Sequence, residues 1–315
     1  MYKIGIDLGG TNIVAGVVND QYQIVASDKC KTAMPRPAEE IVADMAKVAF
    51  GAVEKAGITM DEVEYIGVGS PGVCNRATGI VENSNNLKFD NLPLCDMLGK
   101  LTGKTIYIEN DANAAALGEA TVGAAKGCNS CVCITLGTGI GGGILIDGKI
   151  YSGFNFAGAE LGHTVIVADG EPCSCGRKGC WEAYASATAL IRQTKRAMEA
   201  HPESVMWQMT DLDNVSGRTA FDAMRKGDAT AKAVVDQYIR YLATGLTNMI
   251  NIFQPEILCI GGGICNEGDT LLVPLREQIG KEVYSVNSDK QTAICVAKLG
   301  NDAGVIGAAA LGRIN

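Results

Sequence analysis

The chain has 315 residues, 47% of them hydrophobic, enough to bury substantial cores in two α/β lobes. With 27 basic against 35 acidic residues and a net charge of −8, it has no general electrostatic attraction for nucleic acid or an anionic membrane, so a small-molecule partner is the default. Its 12 cysteines without a secretory signal point to a reducing compartment, the cytoplasm, and no apolar run reaches membrane-spanning length because Gly137 to Gly143 interrupts the longest candidate.

Residues Lys3 to Asp7, Ile13 to Val18 and Gln23 to Ser27 read as three β segments joined by short turns, the first turn being DLGGTN, Asp7 to Asn12. Ile41, Val42, Met45, Val48, Ala49 and Val53 recur at helical spacing and predict a helix over Ala38 to Ala56. Next come a strand at Tyr65 to Val68, a turn at Ser70 to Gly72, a loop containing Asn83 to Leu87, a short helix near Leu94 to Leu101, and a strand TIYIEN ending at Asn110. This order predicts a mixed sheet with helices on its faces.

Alanine-rich Ala112 to Thr121 reads as a helix and Val132 to Leu136 as a buried strand running into GTGIGGG, with a further strand at Ile144 to Ile146. Strand, glycine turn, strand repeats the N-terminal pattern, so IGIDLGGTNIVAGVV and VCITLGTGIGGGILI are read as an internal duplication. Two similar lobes facing one another would leave a cleft. From Glu182 to about Phe253 the chain is mainly helical; strand Ile257 to Ile260, a helix near Leu271 to Gly280, a strand at Ala293 to Ala297 and a helix at about Ala303 to Gly312 follow. The expected division is a small α/β lobe over 1–110, with a C-terminal helix of about 301–315 packing back on it, and a large α/β lobe over 111–300 carrying a zinc loop at 160–182 and the helical region 182–253.

The zinc loop is AELGHTVIVADGEPCSCGRKGCWEA, in which His163, Cys173, Cys175 and Cys180 supply the imidazole and thiolates of a closed, structural tetrahedral site. Glu160 lies three residues before His163 and Glu182 two after Cys180, so the metal would gather both acids into one neighbourhood. Taken alone, the two glutamates read equally well as solvated acids beside a zinc loop.

Three glycine turns, at Gly9-Gly10, Gly137 to Gly143 and Gly261 to Gly263, each follow an apolar strand. Glycine there lets backbone N–H groups approach an anion closely and permits positive φ, which suits a nucleotide phosphate, although any one alone is an ordinary tight turn. Gly137, Gly139 and Gly142 satisfy GxGxxG, but ILIDGKIYSG after them looks like a hairpin partner rather than a helix, and no GK[ST] P-loop occurs. Asp7, beside Gly9, Gly10 and Thr11, either holds Mg²⁺ near phosphates or caps the turn. Asp111 stands at a strand end and helix start; capping explains the Asp but not Asn110 beside it, and a strand-end acid is well placed as a general base. Cys131 and Cys133 alternate into a buried strand and are read as core, and His201 as a surface residue.

DLGGTN, SPG, ENDANAAALGE, LGTGIGGG, AGAELGH, CSCGRKGCWE and IGGGI occur in the order of the ROK family of sugar kinases and repressors, which the chain resembles over nearly its whole length. The resemblance implies a two-lobed actin-like, ribonuclease-H-like ATPase fold with a cleft between the lobes, and, with bacterial glucokinases the most similar members, ATP-dependent phosphorylation of a hexose at its 6-hydroxyl. ATP, Mg²⁺ and a structural Zn²⁺ are the implied cofactors. Carried over onto this sequence, Asp111 matches the catalytic base, while Asn86, Asn110, Glu160, His163 and Glu182 match sugar-hydroxyl ligands. Asp7, Gly9, Gly10 and Thr11, with Thr138 and Gly139, match the phosphate and Mg²⁺ region, and Gly261, Gly262 and Gly263 the adenosine side. Asn12 stands where many relatives carry Lys, so no phosphate contact is assigned to it. A zinc-bound His163 would be kept neutral, its other ring nitrogen a fixed donor toward the sugar.

Glucose is the expected hexose; N-acetylmannosamine, other N-acetylhexosamines, mannose and fructose stay open, AGAELGH favouring an aldohexose by family analogy. A repressor would need a helix-turn-helix ahead of the core, and a first strand at Lys3 leaves no room for one. A sugar-binding protein without catalysis is disfavoured by Asp111 beside Asn110. A homo-oligomer, dimer or tetramer, is expected.

Overall fold

The computed structural model describes residues 1–313; positions 314 and 315, which end the expected C-terminal helix, lie outside the described residues. β1 (Tyr2–Leu8), β2 (Asn12–Val18) and β3 (Ile24–Lys31) form an antiparallel meander in which Asp7 faces Val14 and Ala15 faces Asp28. β3 alternates half-buried and exposed residues, as an edge strand with one wet face does. α1 (Ala38–Ala56) buries the predicted stripe against this sheet and stops at Gly57, whose φ of 69° is the left-handed cap that glycine adopts without strain. β4 (Val63–Ser70) then pairs parallel with β1.

A small three-stranded sheet, β5 (Val73–Asn75), β6 (Ile80–Ser84) and β7 (Phe89–Leu92), occupies much of the region read as loop. Its strands are short and rich in Asn, Asp and Glu, so they carry almost no propensity signal, and only Cys74, Val81, Phe89 and Leu92 anchor them to the core. α2 (Leu94–Thr102) leads to β8 (Ile106–Asn110), which pairs parallel with β4 and passes directly into α3 (Asp111–Thr121). The first sheet therefore has the order β3-β2-β1-β4-β8.

The second sheet repeats that plan. β9 (Cys131–Leu136), β10 (Ile140–Ile146) and β11 (Lys149–Ile150) supply the meander, followed by α4 (Glu182–Ala185), α5 (Ala187–Ala200), α6 (Met206–Met209), α7 (Thr219–Arg225) and the long α8 (Ala229–Phe253). β12 (Ile257–Gly261), α9 (Asp269–Glu282) and β13 (Ala293–Val296) complete the order β11-β10-β9-β12-β13, with β12 and β13 parallel. The duplication read from two sequence segments is thus matched by strand order. β10 begins earlier than expected, at Ile140, so Gly141 to Gly143 lie within the strand and the turn shrinks to residues 137–139.

Contacts divide the chain into two compact units, one of Met1–Cys133, Gly143–Ala159 and Ala297–Asn315, the other of Ile134–Gly142 and Glu160–Val296. The expected boundary at residue 110 falls inside the first unit, because α3 packs against α10 (Ala303–Ala309). α10 lies so close to β1 and β4 that a side chain at Gly5 would collide with the Val305 carbonyl and one at Gly67 with that of Ala308. Among the described residues no helix is long and apolar enough to cross a membrane.

Candidate functional site

In the first unit, the candidate residues gather at the carboxyl ends of parallel strands. Asp7 is the penultimate residue of β1, Asp7 pairs with Gly69 of β4, and Ser70 of β4 pairs with Asn110 of β8, so Asp7 and Asp111 flank the end of β4. Gly69 keeps the space between them small: a Cβ there would lie 3.4 Å from the Asp111 Cα. Asp7 is pushed up to about 6, first by burial and then by the negative charge of Asp111. Asp111 is itself raised by burial, although its carboxylate accepts from the Ala112 N–H at 2.9 Å. Two partly buried acids with raised pKa values at one sheet end fit a site that holds a cation or takes up a proton.

The helix cap is Asn110 rather than Asp111. The Asn110 Oδ1 accepts from the N–H groups of Ala112 at 2.9 Å and Asn113 at 3.2 Å, while its Nδ2 donates to the Gly72 carbonyl at 3.2 Å. Capping thus explains Asn110, and leaves Asp111 in the first helical turn without that duty. The Gly9 turn is closed by Gly9 N–H donating to the Asn12 carbonyl at 2.9 Å and by the Thr32 hydroxyl donating to the Gly9 carbonyl at 2.6 Å. Thr11 joins the same turn through its carbonyl, which accepts from the Thr32 N–H at 2.9 Å, and Gly10 is open around its Cα. Asn86 sits exposed in the turn between β6 and β7.

In the second unit, the His163, Cys173, Cys175 and Cys180 ligand atoms all lie within 4.8 Å of one another. Cys173 Sγ is 3.5 Å from His163 Nδ1, and Cys175 Sγ is 3.6 Å from Cys180 Sγ. The sulfurs are too far apart for a disulfide and close to the edge of roughly 3.8 Å that a tetrahedron with Zn–S near 2.3 Å requires. One imidazole and three thiols fit Zn²⁺, and Nδ1 is the nitrogen turned to the cluster, leaving Nε2 for another partner. The loop is preformed by backbone bonds, Cys173 N–H to Arg177 at 2.9 Å, Gly179 N–H to Glu171 at 2.8 Å and Trp181 N–H to Thr164 at 2.8 Å. Fully buried Trp181 then anchors it to α8, its indole donating to the Tyr241 carbonyl at 3.0 Å.

Glu182 Oε2 accepts from the Ile140 N–H at 2.9 Å and Oε1 accepts from the Ser174 hydroxyl at 3.4 Å. Its carboxylate approaches Gly139 so closely that any side chain there would collide with it. The acid expected among the sugar ligands therefore also braces the glycine turn expected to hold phosphate, with Thr138 exposed at the tip. Glu160 is exposed just before the short 3-10 turn Leu161–His163. At the third glycine turn Gly262 has φ 107° and lies against the Leu136 carbonyl, a position closed to any other residue. Gly9, Gly10, Gly137 and Gly139 have no positive φ, and of these it is Gly139 that is crowded, by the Glu182 carboxylate, while Gly10 and Gly137 are open. Glu109, to which the motifs assign no role, is 1% exposed directly beside Asn110; a carboxylate within the strand TIYIEN is the signal the sequence carries for it.

The ROK family pattern matches residues 3–314. The chain is 39% identical over 311 residues to a glucokinase of Thermotoga maritima, covering 98% of this chain and 96% of that protein. A crystal structure of a ROK family glucokinase from Streptomyces griseus, in complex with glucose and AMPPNP, matches with a TM-score of 0.83 at 36% identity over 100% of both chains. A xylose repressor of Caldicellulosiruptor bescii is more distant, 29% identical over 98% of this chain and 77% of its own length. The chain belongs to the ROK family.

Proposed function

We propose that this protein is an ATP-dependent glucokinase that transfers the γ-phosphate to the 6-hydroxyl of glucose. The observation that carries this is the full-length likeness to glucokinases at 36–39% identity, together with a partly buried Asp111 at the strand end where that chemistry needs a base. Asp111 accepts the 6-hydroxyl proton as O6 bonds to the γ-phosphorus and ADP leaves with the electron pair of the broken P–O bond. Its raised pKa makes it a better proton acceptor than an ordinary solvated aspartate.

Asn86, Asn110, Glu160, His163 and Glu182 are assigned to the sugar hydroxyls, where carboxylate, amide and imidazole groups reject epimers that leave their bonds unmade. Asn110 keeps one Nδ2 proton for this after its cap and Gly72 bonds, and His163 offers Nε2. Gly9, Gly10, Thr11, Thr138 and Gly139 are assigned to the phosphates and Gly261, Gly262 and Gly263 to the adenosine side. Asp7 is the oxygen donor suited to Mg²⁺, which when bound neutralises charge on the phosphates. His163, Cys173, Cys175 and Cys180 would hold Zn²⁺ as a closed structural site. A reducing cytoplasm suits twelve cysteines that form no disulfide. A coupled assay with ATP and Mg²⁺ across glucose, mannose, N-acetylmannosamine and fructose tests the reading: glucose is expected to have the highest kcat/KM, and a preference for N-acetylmannosamine would reassign the substrate.

A further inference from the structure

Glu109 is the last-but-one residue of β8 and is 1% exposed. Its Oε1 accepts two hydrogen bonds, from the Asn110 backbone N–H at 2.9 Å and from the side-chain amide of Asn113 at 3.1 Å. Asn113 is equally buried and sits in the first turn of α3. These two contacts straddle Asp111, one on the residue before it and one on the residue two after it. The other oxygen, Oε2, faces the Arg76 guanidinium at 3.6 Å, and that guanidinium lies 6.0 Å from the centre of the Phe156 ring. A carboxylate in this position is expensive to bury, and a helix start needs only the Asn110 cap, which is already present.

We propose that Glu109 is a positioning residue that, through the two hydrogen bonds to its Oε1, fixes the strand-to-helix junction so that Asp111 points at the substrate hydroxyl. The inference rests on the reading of Asp111 as the general base. A strand that runs straight into a helix has no intervening loop to set the direction of its first side chain. Glu109 supplies that constraint by tying strand end and helix turn to one oxygen. Misplacing a base by about an ångström costs up to 10²-fold in turnover, so a residue that never touches substrate can control kcat.

The test is a double-mutant cycle on the full chain. Glu109→Ala is expected to lower kcat at least tenfold with the KM for glucose and for ATP changed less than threefold, and Glu109→Gln, which keeps an oxygen for both N–H groups, to retain most of the turnover. In an Asp111→Asn background, Glu109→Ala is expected to cost almost nothing further, because the group it positions is gone. Cooperative melts for each variant separate these effects from unfolding, and Glu109→Gln serves if the alanine variant does not fold. An equal loss in both backgrounds, a glutamine variant as poor as alanine, or a folded alanine variant with native kcat would each overturn the positioning role. Native turnover in Asp111→Asn alone would instead overturn the assignment of the base itself.

Discussion

Asp7 shows how a single partly buried charge is set by its surroundings. Its carboxyl titrates near 6 rather than near 3.8, because burial disfavours the anion and Asp111 adds a like charge. The folded state thus prefers the protonated form. Below the unfolded pKa neither state carries the charge and nothing is lost; as pH rises from about 4 to about 6 the folded protein loses stability, and above 6 the loss is complete. A shift of this size corresponds to about 3 kcal/mol at most, less the relief that residual solvent access provides. Asp7→Asn is therefore expected to melt higher than the wild type at pH 8 in Mg²⁺-free buffer, with the difference vanishing near pH 4. Equal melting temperatures at pH 8 would mean that the Asp7 anion is already compensated in the fold.

At the scale of elements, the cysteine loop and the glycine turn meet through one side chain, Glu182. The order of the cysteines along the chain suggests that a metal there serves the proposed sugar ligands Glu160, His163 and Glu182, with the glycine turn proposed for phosphate independent of it. Glu182 links the two in the fold, since Oε2 accepts from the Ile140 N–H beside Gly139 while Oε1 accepts from the Ser174 hydroxyl between Cys173 and Cys175. Cys175→Ser is expected to raise the KM for glucose at least about tenfold, as loss of support around a metal site does, and the KM for ATP by a smaller but measurable factor. Steady-state kinetics on a variant with a cooperative melt decides this. An unchanged KM for ATP would show that the turn stands without the loop.

For the whole molecule, zinc held as proposed by His163, Cys173, Cys175 and Cys180 would link metal binding to folding, because ligands drawn from residues 163 to 180 have no common site in the unfolded chain. Metal analysis of the purified protein is expected to return one zinc per chain, and a strong chelator to lower the melting temperature. Saturating glucose is expected to raise it, at 100 times Kd by about 2.7 kcal/mol of stability. Protein that holds no zinc yet melts at the same temperature with and without chelator would remove the metal from the fold.

Much of this architecture is legible in the linear chain because its signals are local. The stripe of α1 runs over the expected Ala38 to Ala56, the ligand spacing of His163 to Cys180 closes into a cluster, and the two strand-turn-strand segments head sheets of matching order. These features depend on neighbours a few residues apart, where periodicity and spacing act directly. Other features needed the folded chain. Gly141 to Gly143 read as turn because glycine disfavours a strand interior, but pairing with adjacent strands overrides that preference and holds them in β10. β5, β6 and β7 are too short and polar to announce themselves. The engagement of Glu182 with Ile140, 42 residues away, and the burial that raises Asp7 and Asp111 depend on contacts between distant segments, which no local pattern encodes. The residue types and their order specified the family; only the tertiary structure decided which polar groups the fold itself occupies, because those bonds join segments far apart in the chain.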